Sequence, residues 1–290
     1  MKTILVTGAN GQLGNELRLM SKNYPQFSYI FTDIAELDIC DKAAVEAFVE
    51  NNKVDAIVNC AAFTAVDKAE SEEAKAGMIN SDAPANLAAA VERRGGTLVQ
   101  ISTDYVFPGN ACKPIGEDSP TAPDSAYGRT KLAGEIAAQK ACKNTVIIRT
   151  AWLYSTFGHN FVKTMIKLGR ERDKLGVVFD QVGTPTYARD LARAIMQILE
   201  KGVVPGVYHF TNEGVTSWYD FTIMIHKLAG ISGCRVSPLH TEDYPTPATR
   251  PHYSVLDKSK IKKTFGIEIP YWIDSLKECV DILLKQENDN

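Results

Sequence analysis

The chain opens with a short apolar run, Ile4-Leu5-Val6, that ends in three regularly spaced glycines. Gly8, Gly11 and Gly14 stand three positions apart in "VTGANGQLGNEL", and a helical pattern begins among them. Such glycines suit an ordinary strand-to-helix turn. They also let the backbone approach a ligand closely and direct helical N–H groups at an anion.

The second apolar run decides between these interpretations. The stretch "FSYIFTD" predicts a strand whose last residue is Asp33. Asp33 follows Gly14 at the distance at which dinucleotide-binding folds place a carboxylate against the adenosine ribose. Residues 1–33 are therefore predicted to form a dinucleotide site.

Further apolar runs alternate with helical stripes up to about residue 150, which predicts an α/β fold: a Rossmann-type, doubly wound parallel sheet. Beyond that point the pattern loosens, and "GVTSWYD" and "YPTPATRPHYS" are interpreted as long connections. We expect a smaller, irregular C-terminal substrate domain. The predicted dinucleotide-binding domain comprises residues 1–150 and about 176–212, and the substrate domain comprises about 151–175 and 213–290.

Composition narrows the functional classes. The formal net charge of −3 gives no reason to expect nucleic-acid or membrane-surface binding, and no apolar run has the length of a membrane span or a secretory signal. The six cysteines form no C-x-x-C pair, which is typical of buried thiols in a reducing cytoplasm. The five histidines lack ligand spacing, so no zinc site is expected.

The sequence "SAYGRTKLAGE" carries the clearest chemical signal. Tyr127 and Lys131 stand four apart on a predicted helix between the fourth and fifth strands, so they share one helix face. An exposed Tyr–Lys pair would be the ordinary explanation, but this is the one Tyr-x-x-x-Lys among eleven tyrosines. Reduction of a carbonyl needs a proton donor, and an ammonium group beside a phenol would lower a pKa that is otherwise about 10.

The fourth predicted strand ends in "ISTDYVF". Thr103 would lie at its carboxyl end, where a hydroxyl can bind a substrate carbonyl. Ser102 should point to the opposite face, because side chains alternate along a strand. Thr103 is therefore the predicted catalytic hydroxyl and Ser102 a structural one.

Taken in order, Gly-x-x-Gly-x-x-Gly, Asn59-Cys60-Ala61-Ala62, Ser102-Thr103-Asp104 and Tyr-x-x-x-Lys resemble the extended short-chain dehydrogenase/reductase family. The resemblance covers nearly the whole chain. The strings "AAFTAVDKAESE", "STDYVFPG", "YGRTKLAGE", "RTAWLY", "GTPTYARDLA" and "YPTPATRP" are similar to those of its dTDP-sugar ketoreductases. This implies reduction of the C4 ketone of dTDP-6-deoxy-L-lyxo-4-hexulose to dTDP-L-rhamnose, for cell-surface polysaccharide.

The resemblance also implies roles for individual residues. The catalytic group would be Thr103, Tyr127 and Lys131. The coenzyme would contact Tyr127 and Lys131 and, in addition, Gly8, Gly11, Gln12, Leu13, Gly14, Asp33, Asp38, Ile39, Ala62, Phe63 and Thr64. The substrate would contact Thr103, Asp104, Tyr105, Trp152 and Arg250, although Trp152 could also belong to the core.

The coenzyme expectation follows from the charge of Asp33, and the metal expectation from the resemblance. Asp33 favours NADH because a carboxylate repels a 2′-phosphate, while the resemblance implies that NADPH is accepted as well. Some reductases of this type are Mg²⁺-dependent dimers, and Glu16 would fit their acidic cluster. Arg189 stands where a second carboxylate is needed, so no metal is expected, and the chain is expected to be a monomer or a homodimer.

The roles of two residues stay open. Arg250, directly before a proline, could reach a diphosphate bidentately or could be an exposed arginine without a partner. Asn80 matches a helix position that often carries Asn in the family, and its role cannot be read from sequence.

The alternatives to this function are another nucleotide-sugar ketoreductase of the same family and three assignments of a different kind. A non-catalytic NAD(P)-binding regulatory subunit is disfavoured because Thr103, Tyr127 and Lys131 are all intact. A dehydratase needs a carboxylate pair after the Thr, and here Tyr105 takes the second place. An epimerase would use the same Tyr and Lys with a permanently bound coenzyme, and this alternative stays open.

Overall fold

The computed structural model describes residues 1–288. Its strands, in chain order, are β1 Lys2–Thr7, β2 Phe27–Thr32, β3 Ala56–Asn59, β4 Thr97–Thr103, β5 Thr145–Thr150, β6 Leu153–Tyr154, β7 Lys174–Val178, β8 Val182–Gly183, β9 Thr186–Tyr187, β10 Gly206–His209, β11 Thr216–Ser217 and β12 Arg235–Leu239.

The α-helices, in chain order, are α1 Gln12–Met20, α2 Lys42–Asn51, α3 Val66–Ser71, α4 Glu73–Gly77, α5 Ala83–Glu92, α6 Ala126–Ala141, α7 Phe161–Glu171, α8 Ala188–Lys201, α9 Trp218–Leu228, α10 Ser259–Phe265 and α11 Trp272–Asn288. A π-helical stretch, Met78–Asp82, joins α4 to α5, and short 3₁₀ turns occur at Ser21–Asn23, Asp104–Val106 and Thr241–Asp243. Within residues 1–288, none of the helices combines the length and the apolar composition that a membrane span needs.

The central sheet has six parallel strands in the order β10-β5-β4-β3-β1-β2. β1 lies between β2 and β3, so the chain changes direction across the sheet after β2. In open α/β sheets a ligand crevice forms beyond the carboxyl ends of the strands at such a reversal. The predicted Rossmann-type, doubly wound parallel sheet is confirmed.

Helices cover both faces of this sheet because its strands are apolar on both sides. Ile4 and Val6 pack with α1 and α8 on one face, while Leu5 packs with α2 and α5 on the other. The crevice at the carboxyl ends is therefore held by two independent hydrophobic layers.

A third apolar cluster lies outside these layers, among α7, α9, α11 and the β7–β12 pair. It is built from Tyr154, Ile166, Phe221, Trp272 and Leu276, among others. The long helix α8 belongs to the sheet layers instead. The proposed domain boundaries stay a prediction, and residues 289–290 of the second range lie outside the described residues.

The expectation that "GVTSWYD" is a long connection is wrong. Thr216–Ser217 pairs with β8, and α9 begins at Trp218. Ser217 caps this helix by accepting a hydrogen bond from the Asp220 backbone N–H at 3.0 Å. A Ser followed three residues later by an acidic residue is a helix-start signal. The stretch "YPTPATRPHYS", in contrast, contains no helix or strand beyond two isolated bridges of Tyr253, to Asn110 and to Val182.

Two helical glycines test how tightly the helices pack around the crevice. A Cβ on Gly134, in α6, would overlap the carbonyl oxygen of Asn80, whereas a Cβ on Gly77, at the end of α4, would meet nothing within 4 Å. We expect Gly134→Ala to lower the free energy of unfolding by roughly 1–3 kcal/mol, because the two backbones must move apart. Gly77→Ala, the control, should raise it by up to about 1 kcal/mol, because Ala favours the helix. Urea denaturation measures the free energy of unfolding of both variants. Equal values for the two variants would contradict this packing.

Candidate active site

A cavity of about 1120 Å³ opens at the carboxyl ends of the sheet strands. Most of the predicted site residues line it: Gly8, Gly11, Gln12, Leu13, Asp33, Asp38, Ile39, Ala62, Thr64, Thr103, Asp104, Tyr105, Tyr127, Lys131 and Trp152. Three predicted site residues do not line it: Gly14, Phe63 and Arg250.

The glycine turn is shaped for close backbone contact. Gly8 has φ +62°, and a Cβ there would lie 2.6 Å from the Ala61 backbone nitrogen. A Cβ on Gly14 would lie 2.5 Å from the Ala9 Cα, so Gly14 packs the helix on the turn instead of facing the cavity. Gly11 precedes α1, and no side chain of the described residues caps this helix. The free N–H groups of its first turn thus fit a diphosphate.

The carboxyl end of β2 supplies a carboxylate at the cavity. Asp33 accepts hydrogen bonds from the backbone N–H groups of Asn10 at 3.0 Å and Ile34 at 2.9 Å. These two bonds fix the carboxylate beside the glycine turn, which suits a ribose hydroxyl. Lys75, which the sequence analysis did not single out, also lines the cavity and lies 3.8 Å from Glu72.

Asn80 and Phe63 lie behind the cavity wall. Asn80 accepts from the Phe63 N–H at 2.8 Å and donates to the Phe63 carbonyl at 3.2 Å and to Thr130 Oγ1 at 3.1 Å. The Phe63 ring packs with Ala69, Ala76 and Ala126. Asn80 therefore ties the loop after β3 to α6, with the Phe63 ring turned into this packing, and the contact of Phe63 with the coenzyme stays a prediction.

Helix α6 presents Tyr127 and Lys131 to the cavity. Ser125 fixes the start of this helix by accepting a hydrogen bond from the Gly128 N–H at 3.1 Å. Tyr105 packs edge-to-face on Tyr127, with ring centroids 5.5 Å apart. A proton donor and an ammonium group are thus brought to one wall of the cavity.

The electrostatics of this pair differ from the sequence expectation. Burial raises the pKa of Tyr127 to about 12; a hydrogen bond with Thr103 lowers it and the charge of Asp104 raises it further. Lys131 instead donates to the Ile101 carbonyl at 2.6 Å, and burial lowers its own pKa to about 8. The expectation that Lys131 lowers the pKa of Tyr127 is therefore wrong here.

Ser102 and Thr103 point in opposite directions, as predicted. Ser102 Oγ donates to Glu135 at 2.5 Å, away from the cavity. Thr103 Oγ1 donates to Asp104 Oδ1 at 2.9 Å and accepts from the Tyr105 N–H at 3.2 Å. Burial raises the pKa of Asp104 to about 6.

Trp152 lies both at the cavity and in the apolar packing, and its contact with the substrate stays a prediction. Its ring stacks on Trp218 with centroids 3.6 Å apart, packs against the third apolar cluster, and lines the cavity. The residue has φ +50°, an uncommon conformation outside glycine. Trp218 could not be found from sequence because its helix was interpreted as a loop.

Arg250 lies outside the main cavity and lines a small pocket together with Tyr105. Its guanidinium donates to Asp67 Oδ2 at 2.7 Å, and the same carboxylate accepts from the Ala248 N–H at 3.2 Å. Arg250 therefore has a partner, and the alternative of an unpaired exposed arginine is wrong. Its reach to a diphosphate stays a prediction.

The loop before α7 adds residues that sequence analysis missed. Asn160 lines the cavity, caps α7 by accepting from the Lys163 N–H at 3.2 Å, and donates to Gln12 Oε1 at 3.1 Å. Gln12 in turn lies 3.5 Å from the Leu153 carbonyl. An Asn before an apolar helical stripe is a cap signal, but its contact with the glycine turn required the tertiary structure.

Two clusters bear on metal binding. Glu16 is fully buried and accepts from Ser155 at 2.7 Å and from Arg189 at 3.0 Å, and Arg189 also contacts Glu278 at 2.7 Å. The Glu16 charge is thus balanced by an arginine. Elsewhere, ligand atoms of Asp180, His240 and Glu242 lie within 4.8 Å of one another near the surface, although Asp180 already accepts two bonds from Thr241.

Comparison with known proteins adds an independent finding. A dTDP-4-dehydrorhamnose reductase of Burkholderia thailandensis is 41% identical over 98% of this chain and 99% of its own length. A Streptomyces antibioticus protein named probable dTDP-4,6-dihydroxy-2-methyloxan-3-one 4-ketoreductase is also 41% identical, covering 98% of this chain and 96% of its own. The crystal structure of a Bacillus anthracis dTDP-4-dehydrorhamnose reductase in complex with NADP is 37% identical, with a TM-score of 0.93, and covers 97% of this chain and 100% of that one.

The family described as RmlD substrate binding domain matches residues 1–285, which include both the sheet and the third apolar cluster. The sequence, the parallel sheet and the cavity agree with this match. The chain therefore belongs to the RmlD substrate binding domain family.

Proposed function

We propose that the protein reduces the C4 ketone of dTDP-6-deoxy-L-lyxo-4-hexulose to give dTDP-L-rhamnose, with NADH as its preferred coenzyme. One observation carries the proposal: Thr103, Tyr127 and Lys131 line the same cavity as the glycine turn. A proton donor, a cation and an anion-binding backbone thus share one space. The dTDP-4-dehydrorhamnose reductase from Burkholderia thailandensis supports this choice of substrate.

The coenzyme would supply the hydride that C4 accepts. The uncapped N–H groups after Gly11 would hold its diphosphate, Asp33 its adenosine ribose, and Asp38 and Ile39 its adenine. Lys131 would hold the ribose next to the nicotinamide. Gly14 would contribute by packing, and Phe63 through its backbone.

Tyr127 would give the proton that the new alkoxide needs. Because its pKa is about 12, the phenol keeps its proton at neutral pH and is available as a donor. Thr103 would hold the ketone oxygen, which requires its hydroxyl to turn from Asp104 toward the substrate. For the Lys131 ammonium to stabilise the negative charge that passes from the alkoxide to the phenolate, it would have to turn from the Ile101 carbonyl toward Tyr127 once substrate and coenzyme are bound.

The nucleotide half of the substrate would lie toward Trp152, Tyr105 and Arg250. Tyr105 packs on Tyr127, so substrate contacts there would also place the proton donor. Remote contacts of this kind hold a reacting carbonyl at hydride-transfer distance. A diphosphate there would compete with the Asp67 carboxylate for the Arg250 guanidinium.

The competing activities are less well supported. Asp104 is followed in the site by Tyr105, so the carboxylate pair of a dehydratase is missing. The intact Thr103, Tyr127 and Lys131 argue against a regulatory subunit. An epimerase would release stoichiometric NAD on denaturation, which a reductase would not. A cytoplasmic location and a monomeric or dimeric state remain predictions.

The reaction itself is the first test of this proposal. NADH absorbance should fall only when the ketosugar nucleotide is supplied, by a dehydratase and a 3,5-epimerase acting in situ, and the product sugar should be rhamnose. A free 6-deoxy-4-ketohexose should be a very poor substrate, because it lacks the nucleotide contacts. Consumption of NADH with a different product sugar would favour another dTDP-ketosugar, as the name of the Streptomyces relative suggests. No consumption with active upstream enzymes would contradict the proposal.

Replacing the proton donor gives a second prediction. Tyr127→Phe should lower kcat by roughly 10²–10⁴, the usual contribution of a positioned acid, while NADH affinity stays the same. Tyr244→Phe is the matched control, since Tyr244 is exposed and lies outside the cavity. Steady-state kinetics and NADH fluorescence titration measure both effects. Near-normal turnover of the Tyr127 variant would rule out Tyr127 as the donor.

Coenzyme choice gives a third prediction. The kcat/KM should be higher with NADH than with NADPH, because the Asp33 carboxylate repels a 2′-phosphate. Asp33→Asn should bring the kcat/KM values for NADH and NADPH closer together. Lys75→Gln removes a cation from the cavity wall and should lower the kcat/KM for NADPH more than that for NADH. Side-by-side kinetics of the three proteins measure these ratios. A clear NADPH preference in the unmodified protein would contradict the role of Asp33.

A further inference from the structure

Helix α6 contacts the end of β4 through three side chains, each one helical turn apart. Tyr127, Lys131 and Glu135 stand at spacing four, so they lie on one helix face. Their partners are consecutive strand residues, Ile101–Thr103. The first two side chains belong to the proposed catalytic group, and the third, Glu135, has no assigned role.

Glu135 is almost fully buried, with 2% of its surface exposed. Its carboxylate accepts from Ser102 Oγ at 2.5 Å and from two nitrogens of Arg149, Nε at 2.9 Å and Nη2 at 2.6 Å. Arg149 stands opposite Ser102 on the neighbouring strand β5. A buried carboxylate retains its charge only with such partners. The site thus has an anion directly behind its catalytic wall.

This anion acts on Lys131. Burial lowers the pKa of Lys131 to about 8, and the negative charge of Glu135 opposes that decrease, with a smaller contribution from the Cys60 thiol. Among the described residues, the other ionisable group on this face of α6 is Tyr127, and Arg149 reaches Glu135 from β5. Without a carboxylate at position 135, the ammonium would lose its proton at a lower pH.

We propose that Glu135 is a positioning residue for the reduction: its buried carboxylate lies one helical turn from the Lys131 ammonium as a counter-charge and, by binding Ser102, holds the proton donor of α6 against Thr103 of β4. Glu135 does so without touching substrate or coenzyme. The inference rests on the proposed function for its kinetic consequence. Its electrostatic consequence, the protonation of Lys131, does not depend on the substrate.

The kinetic test compares pH profiles. In Glu135→Gln the alkaline decrease of kcat should begin roughly one pH unit lower, because the Lys131 ammonium no longer has a carboxylate beside it. The KM for the sugar nucleotide should stay within about twofold of the wild-type value. Glu135→Asp retains the charge and should restore most of the pH profile. Ser102→Ala separates the two effects: it removes one bond to the carboxylate but not the charge, so kcat should fall while the alkaline decrease stays at the same pH. A profile of Glu135→Gln that coincides with the wild-type profile would overturn the proposal.

A second measurement works without turnover. Competitive acetylation of Lys131, followed by mass spectrometry across pH, reports when this amine loses its proton. We expect the midpoint to be lower in Glu135→Gln than in the unmodified protein. Because this substitution leaves the Arg149 charge buried without a charged partner, the double variant Glu135→Gln with Arg149→Met serves if the single one does not fold.

The two measurements separate the two proposals. A lowered midpoint in the variants that carry Glu135→Gln supports the role of Glu135 even if the unmodified protein fails to reduce the ketosugar, in which case the proposed function is the one that fails. An unchanged midpoint in the variant that folds overturns the role of Glu135, whatever the substrate turns out to be.

Discussion

The close approach of the glycine turn to the end of β3 is the constraint on which the cavity depends. β1 and β3 are neighbouring parallel strands, so the turn after β1 passes directly over the backbone that follows β3. Gly8 has no side chain there, and any Cβ would collide with Ala61. Because Gly8 has no side chain, the turn can lie against the backbone after β3, and the crevice at the chain reversal stays open. The first turn of α1 then faces the cavity with its N–H groups free.

The opposite wall depends on buried charge rather than on glycine. Lys131, Asp104 and Glu135 are all nearly inaccessible to solvent, and each is bound to neighbouring strand or helix atoms. Burial moves the pKa of Lys131 to about 8 and that of Asp104 to about 6, so both pKa values lie closer to neutral pH. Ionisable groups with pKa values near the working pH are typical of catalytic sites. The chemistry of this wall thus follows from how α6 is packed on β4.

The third apolar cluster closes the cavity from the other side. The loop after β5 carries Trp152, which is stacked on Trp218 of α9, and continues to Asn160, which bonds to Gln12 in the glycine turn. A segment far away in sequence therefore contacts the helix start that would hold the diphosphate. Arg250, bound to Asp67, makes a comparable link near Tyr105. Substrate and coenzyme would be enclosed by the same set of contacts.

Local sequence by itself determined the parallel sheet, the glycine turn, and the positions of Asp33, Thr103, Tyr127 and Lys131. These features depend on periodicity and on spacing within one turn or strand, which the order of residues contains directly.

Only the tertiary structure decided which groups these residues meet. The Asp67 partner of Arg250, the stacking of Trp218 on Trp152, and the contact of Asn160 with Gln12 all join residues that are distant in the chain. The same holds for the pKa of Tyr127: spacing predicted a neighbouring ammonium, but the shift is set by burial, which depends on everything packed around the phenol.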